Sequence, residues 1–380
     1  MVHVQYLYID TPSALCEYCE HAATKRAVAV DTEFVRTRTF YPQLGLVQLF
    51  DGEQAALVDV IAIDDCSSLV ALLTNPNVVK VLHAPSEDLE AFHHALGIYP
   101  NPMFDTQTAA QLLGIGNTMG YGRMVEALLG VSLEKGESRT DWLRRPLSPE
   151  QLSYAADDVI YLLPCYEQIT ERLTPHQAQI VRDEMALLVD RKSAVMPPEF
   201  AYLGFKNTWK LAPRNLYVLK ELAAWRLGYA REHDVTVNFV TRELGLFEIA
   251  RDLPKHKGAL FQMDLLAPQE ARKHHAVFLD IVHKALTLSE DALPEAIPRL
   301  TDRNGFKKLS AEIKAQCLPL AEQLGLDIAF VASKRQISQL ISYHWTAMDE
   351  TRAQGLQPEL LTYWRGEALA DKLLPLLPKS

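Results

Sequence analysis

Cysteine is scarce in this chain of 380 residues, which contains only Cys16, Cys19, Cys66, Cys165 and Cys317. An odd number of widely spaced cysteines is typical of a reducing compartment rather than of a disulfide framework. Cys16 and Cys19 have the spacing of half a zinc site, but no second pair follows them. We therefore expect neither a disulfide scaffold nor a structural zinc ion.

Long apolar runs are also missing. No stretch reaches the ~18–20 consecutive apolar residues that a membrane-spanning helix needs. The first ten residues lack the basic segment and apolar core of a signal peptide. No heptad pattern suggests a coiled-coil interface. We expect a cytoplasmic protein that is a monomer and has no membrane partner.

Positive charge is short in the first half of the chain. The formal net charge is −10, and residues 1–200 contain 14 Lys and Arg against 27 Asp and Glu. Residues 201–380 contain 24 against 21, so the two halves have net charges of −13 and +3. This asymmetry favours one part that holds metal ions and another that holds phosphates, although a solvated surface could have the same composition.

The apolar pattern predicts an α/β arrangement for the first 200 residues. Asp51-Gly52 is a hairpin signal between two apolar segments. Ser148, Pro149 and Gln151 form a capping box at the start of a helix. Three strand-like segments come first and a fourth follows among helices: 27–34, 44–50, 55–60 and 78–82. We predict a mixed sheet with flanking helices.

From about Pro213 onward the apolar period is helical throughout. Apolar positions between Val237 and Ile249 recur between Ile328 and Leu340, 91 residues later. Chance matching between apolar helices is one explanation, and a repeated helical domain is the other. We predict two small helical domains joined within 288–299, a segment that contains two prolines.

Two acidic residues stand at the end of the first predicted strand. Asp31 and Glu33 are two positions apart, so their side chains lie on the same face of the strand. Adjacent negative charges are unfavourable unless a cation lies between them, and Mg²⁺ or Mn²⁺ prefers such oxygen ligands. A solvated strand end is the alternative explanation.

Further candidates follow along the chain. Asp88 falls in the first turn of a predicted helix, where a carboxylate could bind metal or only interact with the helix dipole. Tyr154 and Asp158 are four residues apart on the helix after Ser148 and so share a face. The phenol could orient a water molecule or pack against the sheet. Asp157 is the rival of Asp158 as a ligand.

In this order the motifs D-x-E, Asp and Y-x-x-x-D resemble those of the DEDD superfamily of 3′→5′ exonucleases, tyrosine subclass. Longer segments resemble the ribonuclease D family, namely Asp31 to Leu49, His83 to Glu90 and Ser138 to Pro146. The second half resembles two helicase-and-RNase-D C-terminal (HRDC) modules, of which the second is more divergent. The resemblance covers most of the chain.

This resemblance implies a ribonuclease H-like exonuclease domain at 1–205, a first HRDC domain at 206–290 and a second at 291–380. It further implies that two divalent ions, Mg²⁺ or Mn²⁺, are held by Asp31, Glu33, Asp88 and Asp158, and that Tyr154 orients the attacking water. The expected reaction removes nucleoside 5′-monophosphates from RNA 3′ ends. The expected partners are transfer RNA precursors with 3′ extensions.

Arginines flank the proposed site and suit bidentate contacts with RNA phosphates, although ordinary surface ion pairs are an equal alternative. They are Arg36, Arg38, Arg139, Arg144 and Arg145. Two other functions use the same residues. A 3′→5′ DNA exonuclease would need the same carboxylates, whereas an RNA-binding scaffold derived from a nuclease would normally have lost one of them.

Overall fold

The computed structural model describes residues 5–133 and 140–378. The chain forms two compact units, the first made of Met1–Arg36 and Tyr41–Ser193 and the second of Thr37–Phe40 and Ala194–Ser380. None of the helices in the described part is both long and apolar enough to cross a membrane.

A six-stranded mixed sheet forms the centre of the first unit. Its strands are β1 (Tyr6–Ile9), β2 (Ala27–Val35), β3 (Gln43–Phe50), β4 (Ala55–Val58), β5 (Val79–Leu82) and β6 (Met103–Asp105). The strand order is β1-β4-β3-β2-β5-β6, with β3 antiparallel to both its neighbours and all other pairs parallel. The predicted mixed sheet and the hairpin at Asp51-Gly52 are confirmed.

Helices cover both faces of this sheet. They are α1 (Pro12–Ala22), α2 (Ser67–Thr74), α3 (Ser86–Leu96), α4 (Thr106–Leu112), α5 (Tyr121–Leu129), α6 (Pro149–Ile160), α7 (Leu162–Thr170) and α8 (Pro175–Ser193). The predicted capping box of α6 is confirmed, because the Ser148 hydroxyl accepts from the Gln151 amide and the Gln151 side chain accepts from the Ser148 amide.

Side-chain alternation along β3 separates two apolar clusters. Val47 and Leu49 belong to the larger cluster, which includes residues of α1, α2 and α3. Leu46 points to the opposite face and packs in a smaller cluster with Leu57, Trp142 and residues of α6. The second face therefore carries α6, the helix on which Tyr154 and Asp158 were predicted.

The second unit is helical. Its α-helices are α9 (Pro213–Glu232), α10 (Val237–Val240), α11 (Glu243–Asp252), α12 (Lys257–Leu260), α13 (Pro268–Thr287), α14 (Phe306–Leu324), α15 (Ile328–Val331), α16 (Lys334–Trp345), α17 (Glu350–Ala353) and α18 (Tyr363–Leu373). Short 3-10 segments span Pro198–Gly204, Thr208–Lys210, Glu290–Ala292, Leu300–Asp302, Glu359–Leu361 and Leu374–Leu376.

The predicted repeat is visible in this second unit. α15 begins 91 residues after α10, and α16 begins 91 residues after α11. The buried stripe of Leu246 and Ile249 on α11 corresponds to that of Ile337 and Leu340 on α16. α13 ends at Thr287 and α14 begins only at residue 306, and the segment between them contains the two prolines of the predicted joint.

A short piece of the β2–β3 connection belongs to the second unit. The Arg38 carbonyl accepts from the Thr236 amide at 3.0 Å, and the Phe40 amide donates to the Asp234 carboxylate at 3.0 Å. The Arg231 guanidinium lies 5.9 Å from the centre of the Phe40 ring. The sequence pattern had given no indication of this attachment.

Candidate active site

Asp31 lies at the middle of β2 rather than at its end, and Glu33 lies two residues further on, where the strand departs from regular pairing. Asp31 is paired with Gln48 of β3 and Glu33 with Leu46, whereas Phe34 is paired with Leu44. This register shift leaves Gly45 as an extra residue and forms a β-bulge beside Glu33. Bulges bend a strand and re-aim its side chains, and they are common next to active sites.

Asp88 is the third residue of α3, as predicted, and its carboxylate accepts a hydrogen bond from the Thr32 hydroxyl. Burial raises the pKa of Asp88 to about 6, and the bond from Thr32 acts in the opposite direction. Thr32 therefore holds the Asp88 carboxylate beside the strand of Asp31 and Glu33. This contact joins residues 56 positions apart and could not be expected from local pattern.

Tyr154 and Asp158 share one face of α6, and the phenol hydroxyl forms a hydrogen bond with the Asp158 carboxylate. Burial raises the pKa of Asp158 to about 7, the hydrogen bond from Tyr154 lowers it, and neighbouring Asp157 raises it. Burial and the charges of Asp158 and Glu33 raise the pKa of Tyr154 well above its usual range. The phenol is therefore neutral at physiological pH.

The four carboxylates are close enough to repel one another. Burial raises the pKa of Asp31 well above its usual range, and the charges of Asp88, Asp158 and Glu33 raise it further. Burial and the charges of Asp158 and Asp88 raise the pKa of Glu33 to about 9. Within residues 5–133 and 140–378, none of the four is paired with a lysine or arginine. A half-buried, uncompensated acidic cluster of this kind fits a divalent cation.

The four carboxylates lie near one another, but they are not arranged as a complete set of metal ligands. In the described part of the chain, no three His, Cys, Asp or Glu side chains are already arranged as ligands around one point. All four residues keep some exposed surface, so the site is open to solvent. Repulsion separates like charges, and a cation would draw the carboxylates together.

Asp157 differs from Asp158 in its surroundings. Asp158 raises the pKa of both Asp31 and Glu33, whereas Asp157 is not among the groups that do so. The Asp157 carbonyl accepts a hydrogen bond of 2.9 Å from the Tyr121 hydroxyl. These contacts support Asp158 as the member of the acidic cluster.

The sequence analysis did not identify Tyr121 and His83, which lie beside the acidic cluster. Burial raises the pKa of Tyr121, and the charges of Asp158 and Asp31 add to the effect. Tyr121 lies edge-on to His83, whose ring nitrogens contact the Thr106 hydroxyl and the Met119 carbonyl, each at 2.9 Å. No periodic signal marks Tyr121, because its role depends on contacts between distant helices.

Arg145 is fully engaged within the fold. Its Nε and Nη2 atoms bond both carboxylate oxygens of Asp59 at 2.6 and 2.7 Å. The remaining donors bond the carbonyls of Gly45, Trp142 and Arg144. All five N–H groups are thus used. No donor is left for a phosphate, which argues against the RNA contact expected from the sequence.

These bonds fasten the loop that carries Trp142 against the sheet. A Cβ atom on Gly45 would lie 2.5 Å from the Trp142 carbonyl oxygen, so only glycine allows this close approach. The centre of the Trp142 ring lies 6.2 Å from that of Tyr154. Arg145 therefore supports the packing beside the tyrosine of the site.

We expect Arg145→Met to destabilise the protein by roughly 3 kcal/mol, the low end for breaking a buried ion pair, because the Arg145 side chain is 23% exposed. The change would leave the Asp59 carboxylate, which is only 4% exposed, without its main partner. Urea unfolding at pH 7 measures the difference, and Arg144→Met at an exposed neighbouring position is the control. Equal midpoints for both variants would contradict a structural role.

The ion pair of Arg145 with Asp59 also makes the stability of the protein depend on pH. Burial alone would raise the pKa of Asp59, but hydrogen bonds from Arg145 and Tyr8 outweigh it and lower the pKa below its usual 3.8. The contribution to stability is therefore complete at neutral pH and is lost as the pH falls through the folded-state pKa. The difference between the wild type and Arg145→Met should shrink below pH 3.8.

The other arginines are placed differently. Arg36 donates to Glu90, which also accepts from Lys192 at 2.5 Å. Arg38 and Arg144 have exposed side chains. Arg139 lies outside the described residues. Arg38 and Arg144 are therefore the two that keep the strongest case for RNA contact, which remains a prediction.

Comparison with known families agrees with this fold. Residues 6–174 match the family profile described as 3′-5′ exonuclease. Residues 215–282 match that of the HRDC domain, and residues 304–373 that of the ribonuclease D C-terminal HRDC domain. The predicted fold class, an α/β exonuclease domain followed by helical HRDC domains, is confirmed.

Relatives match over nearly the whole chain. Ribonuclease D of Cronobacter turicensis is 45% identical over 97% of this chain and 99% of its own length, and that of Escherichia coli K12 is 44% identical over 98% and 99%. The crystal structure of Escherichia coli RNase D, described as an exoribonuclease involved in structured RNA processing, matches with a TM-score of 0.90 at 43% identity and 98% coverage of both chains. The chain therefore belongs to the ribonuclease D family of 3′→5′ exoribonucleases.

Proposed function

We propose that this exoribonuclease works with two divalent metal ions, Mg²⁺ or Mn²⁺, held by Asp31, Glu33, Asp88 and Asp158. The observation that carries the proposal is the burial of these four clustered carboxylates, together with the repulsion that Asp88 and Asp158 exert on Asp31 and Glu33. Three of them have a pKa between about 6 and 9, and that of Asp31 is also strongly raised. Such a cluster stays ionised at neutral pH only when a cation compensates it.

The donor set fits hard cations, because all four side chains offer oxygen atoms and no sulfur or imidazole is among them. When bound, a pair of such ions stabilises the attacking and leaving oxygens of an in-line displacement at phosphorus. The chain itself contributes the fixed positions of the carboxylates. Thr32 holds Asp88, and Tyr154 holds Asp158.

Tyr154 also fits the role of orienting the attacking water. As a neutral phenol that is hydrogen-bonded to Asp158, it cannot act as a base, but its oxygen keeps a lone pair that can accept from water. The expected products are nucleoside 5′-monophosphates. No side chain is needed as a nucleophile.

We expect Tyr154→Phe to lower kcat by ~10²-fold, the lower range for a positioned hydroxyl group, while RNA binding persists. Single-turnover hydrolysis and filter binding with the same oligoribonucleotide measure the two effects. Tyr166→Phe is the control, because Tyr166 of α7 packs edge-on against Phe104. A wild-type kcat in Tyr154→Phe would show that the tyrosine only packs.

We further propose that the substrates are transfer RNA precursors with 3′ extensions. The description of the Escherichia coli relative, which names structured RNA processing, supports this class. The proposed division of labour assigns catalysis to residues 1–205 and RNA holding to the HRDC domains at 206–290 and 291–380, whose net charge is less negative. A monomer that acts in the cytoplasm is part of the same proposal.

The test is to incubate the protein with a 3′-extended transfer RNA in the presence of Mg²⁺, of Mn²⁺ or of excess chelator. Stepwise shortening from the 3′ end with release of 5′-monophosphates is expected only with metal. A matched single-stranded DNA should be degraded more slowly. Full activity in chelator would refute the metal site, whereas shortening of unstructured RNA alone would refute only the proposed substrate.

A further inference from the structure

Gln48 is a polar residue within an apolar stretch of β3. It lies in the segment Leu44-Gly-Leu-Val-Gln-Leu-Phe50 of β3 and is 0% exposed. Neither its side-chain nitrogen nor its side-chain oxygen has a hydrogen-bond partner among the described residues. No other residue in that part of the chain has two buried side-chain atoms in this condition. Burying an unpaired amide is costly, and a leucine would fill such a position at no such cost.

The sheet register places Gln48 beside the acidic cluster. Gln48 and Asp31 are directly paired across β3 and β2. Directly opposite residues of an antiparallel pair share a face, with Cβ atoms about 4.5–5.5 Å apart. That face is covered by α6 through the cluster of Leu46 and Leu57 with Ala155. The amide is thus closed off from solvent and lies one cross-strand step from the Asp31 carboxylate.

The chemistry of the two side chains decides what Gln48 can do there. An ionised carboxylate only accepts hydrogen bonds, and it has room for a cation and for a donor at the same time. The Gln48 side-chain nitrogen supplies two N–H donors. We propose that Gln48 is a positioning residue that donates to Asp31 when a cation draws the carboxylates together, and so fixes Asp31 in its metal-binding orientation. The inference rests on the proposed metal site.

A purely structural role predicts different behaviour. A side chain that stabilises the fold by itself would form hydrogen bonds with other protein groups, and neither amide atom of Gln48 does so among the described residues. An outer-shell donor instead acts on metal affinity, and removing such a partner typically costs ~10–100-fold. Affinity for a metal ion in the absence of RNA therefore separates the two roles.

The experiment compares Gln48→Met and Gln48→Leu with the wild type in the full-length protein. Calorimetric titration with Mn²⁺ alone, without RNA, should show ~10–100-fold weaker binding in both variants. Thermal unfolding in excess chelator should show equal or higher stability, since an unpaired buried amide is replaced by an apolar group. Leu49→Met is the control on the same strand, because Leu49 is equally buried but belongs to the cluster on the opposite face.

The possible results are distinct. Wild-type Mn²⁺ affinity in both Gln48 variants would overturn the inference while leaving the metal site intact. The inference would also be overturned if both Gln48 variants were less stable in chelator than Leu49→Met, because the amide would then have a partner in the metal-free fold. Failure of the wild-type protein to bind Mn²⁺ would instead refute the proposed metal site.

Discussion

Replacing Asp31 by asparagine should abolish hydrolysis and at the same time stabilise the metal-free protein. An amide is a poor ligand for a hard cation, and metal coordination is worth several kcal/mol to the transition state. Since ~4 kcal/mol corresponds to about 10³-fold, a loss of kcat of at least that size is expected. Stability should rise because burial and three neighbouring acids all disfavour the charge at position 31.

Two measurements on the same protein test this pair of effects. In chelator, Asp31→Asn should unfold at a higher temperature than the wild type. With added Mg²⁺ the wild type should gain stability, about 2.7 kcal/mol at a concentration 100 times its Kd, whereas the variant should gain much less. Asp64→Asn, at an exposed position away from the cluster, should change neither property. Lower stability of Asp31→Asn in chelator would contradict the proposed repulsion.

Asp158→Ala and Asp157→Ala should differ widely although they change adjacent residues. Asp158 affects the pKa of Asp31 and Glu33, so its loss should remove a metal ligand and lower kcat at least ~10³-fold. Asp157 is held through its backbone carbonyl by Tyr121, and this contact survives truncation of the side chain. Asp157→Ala should therefore keep most of its activity.

Each variant of this pair is the matched control of the other, because both shorten an aspartate on the same turn of α6. Initial rates on one oligoribonucleotide, at saturating Mg²⁺, give the comparison. The reverse ranking would mean that Asp157 is the ligand. Equal loss in both variants would mean that the end of α6, rather than one carboxylate, is what the site requires.

Local periodicity was sufficient to predict two pairs within the candidate site, whereas the grouping of all four carboxylates came from the family resemblance. Asp31 and Glu33 share a face because strand side chains alternate, and Tyr154 lies over Asp158 because helix neighbours recur every four residues. The capping box at Ser148 likewise depends on residues three positions apart. In each of these cases the residues lie within one strand or helix, or at its end, so their spacing in the sequence determines their relative positions.

The supporting residues could not be predicted in this way. The bond from Thr32 to Asp88 spans 56 positions, and the pair of Arg145 with Asp59 spans 86. Gln48 acquires its place opposite Asp31 only from the strand register, which the bulge at Gly45 sets. An arginine next to a proposed RNA site also looks the same in sequence whether it binds phosphate or holds a loop in place.

The attachment of Thr37–Phe40 to the helical unit affects where this protein can be divided into fragments. The chain passes from the first unit to the second and back within the β2–β3 connection, before it passes over finally after Ser193. A gene fragment cut after Ser193 would encode a β2–β3 connection whose Phe40 amide and Arg38 carbonyl have lost Asp234 and Thr236. The two units are therefore interleaved in sequence, and a single junction after Ser193 would separate the helical unit from its segment Thr37–Phe40.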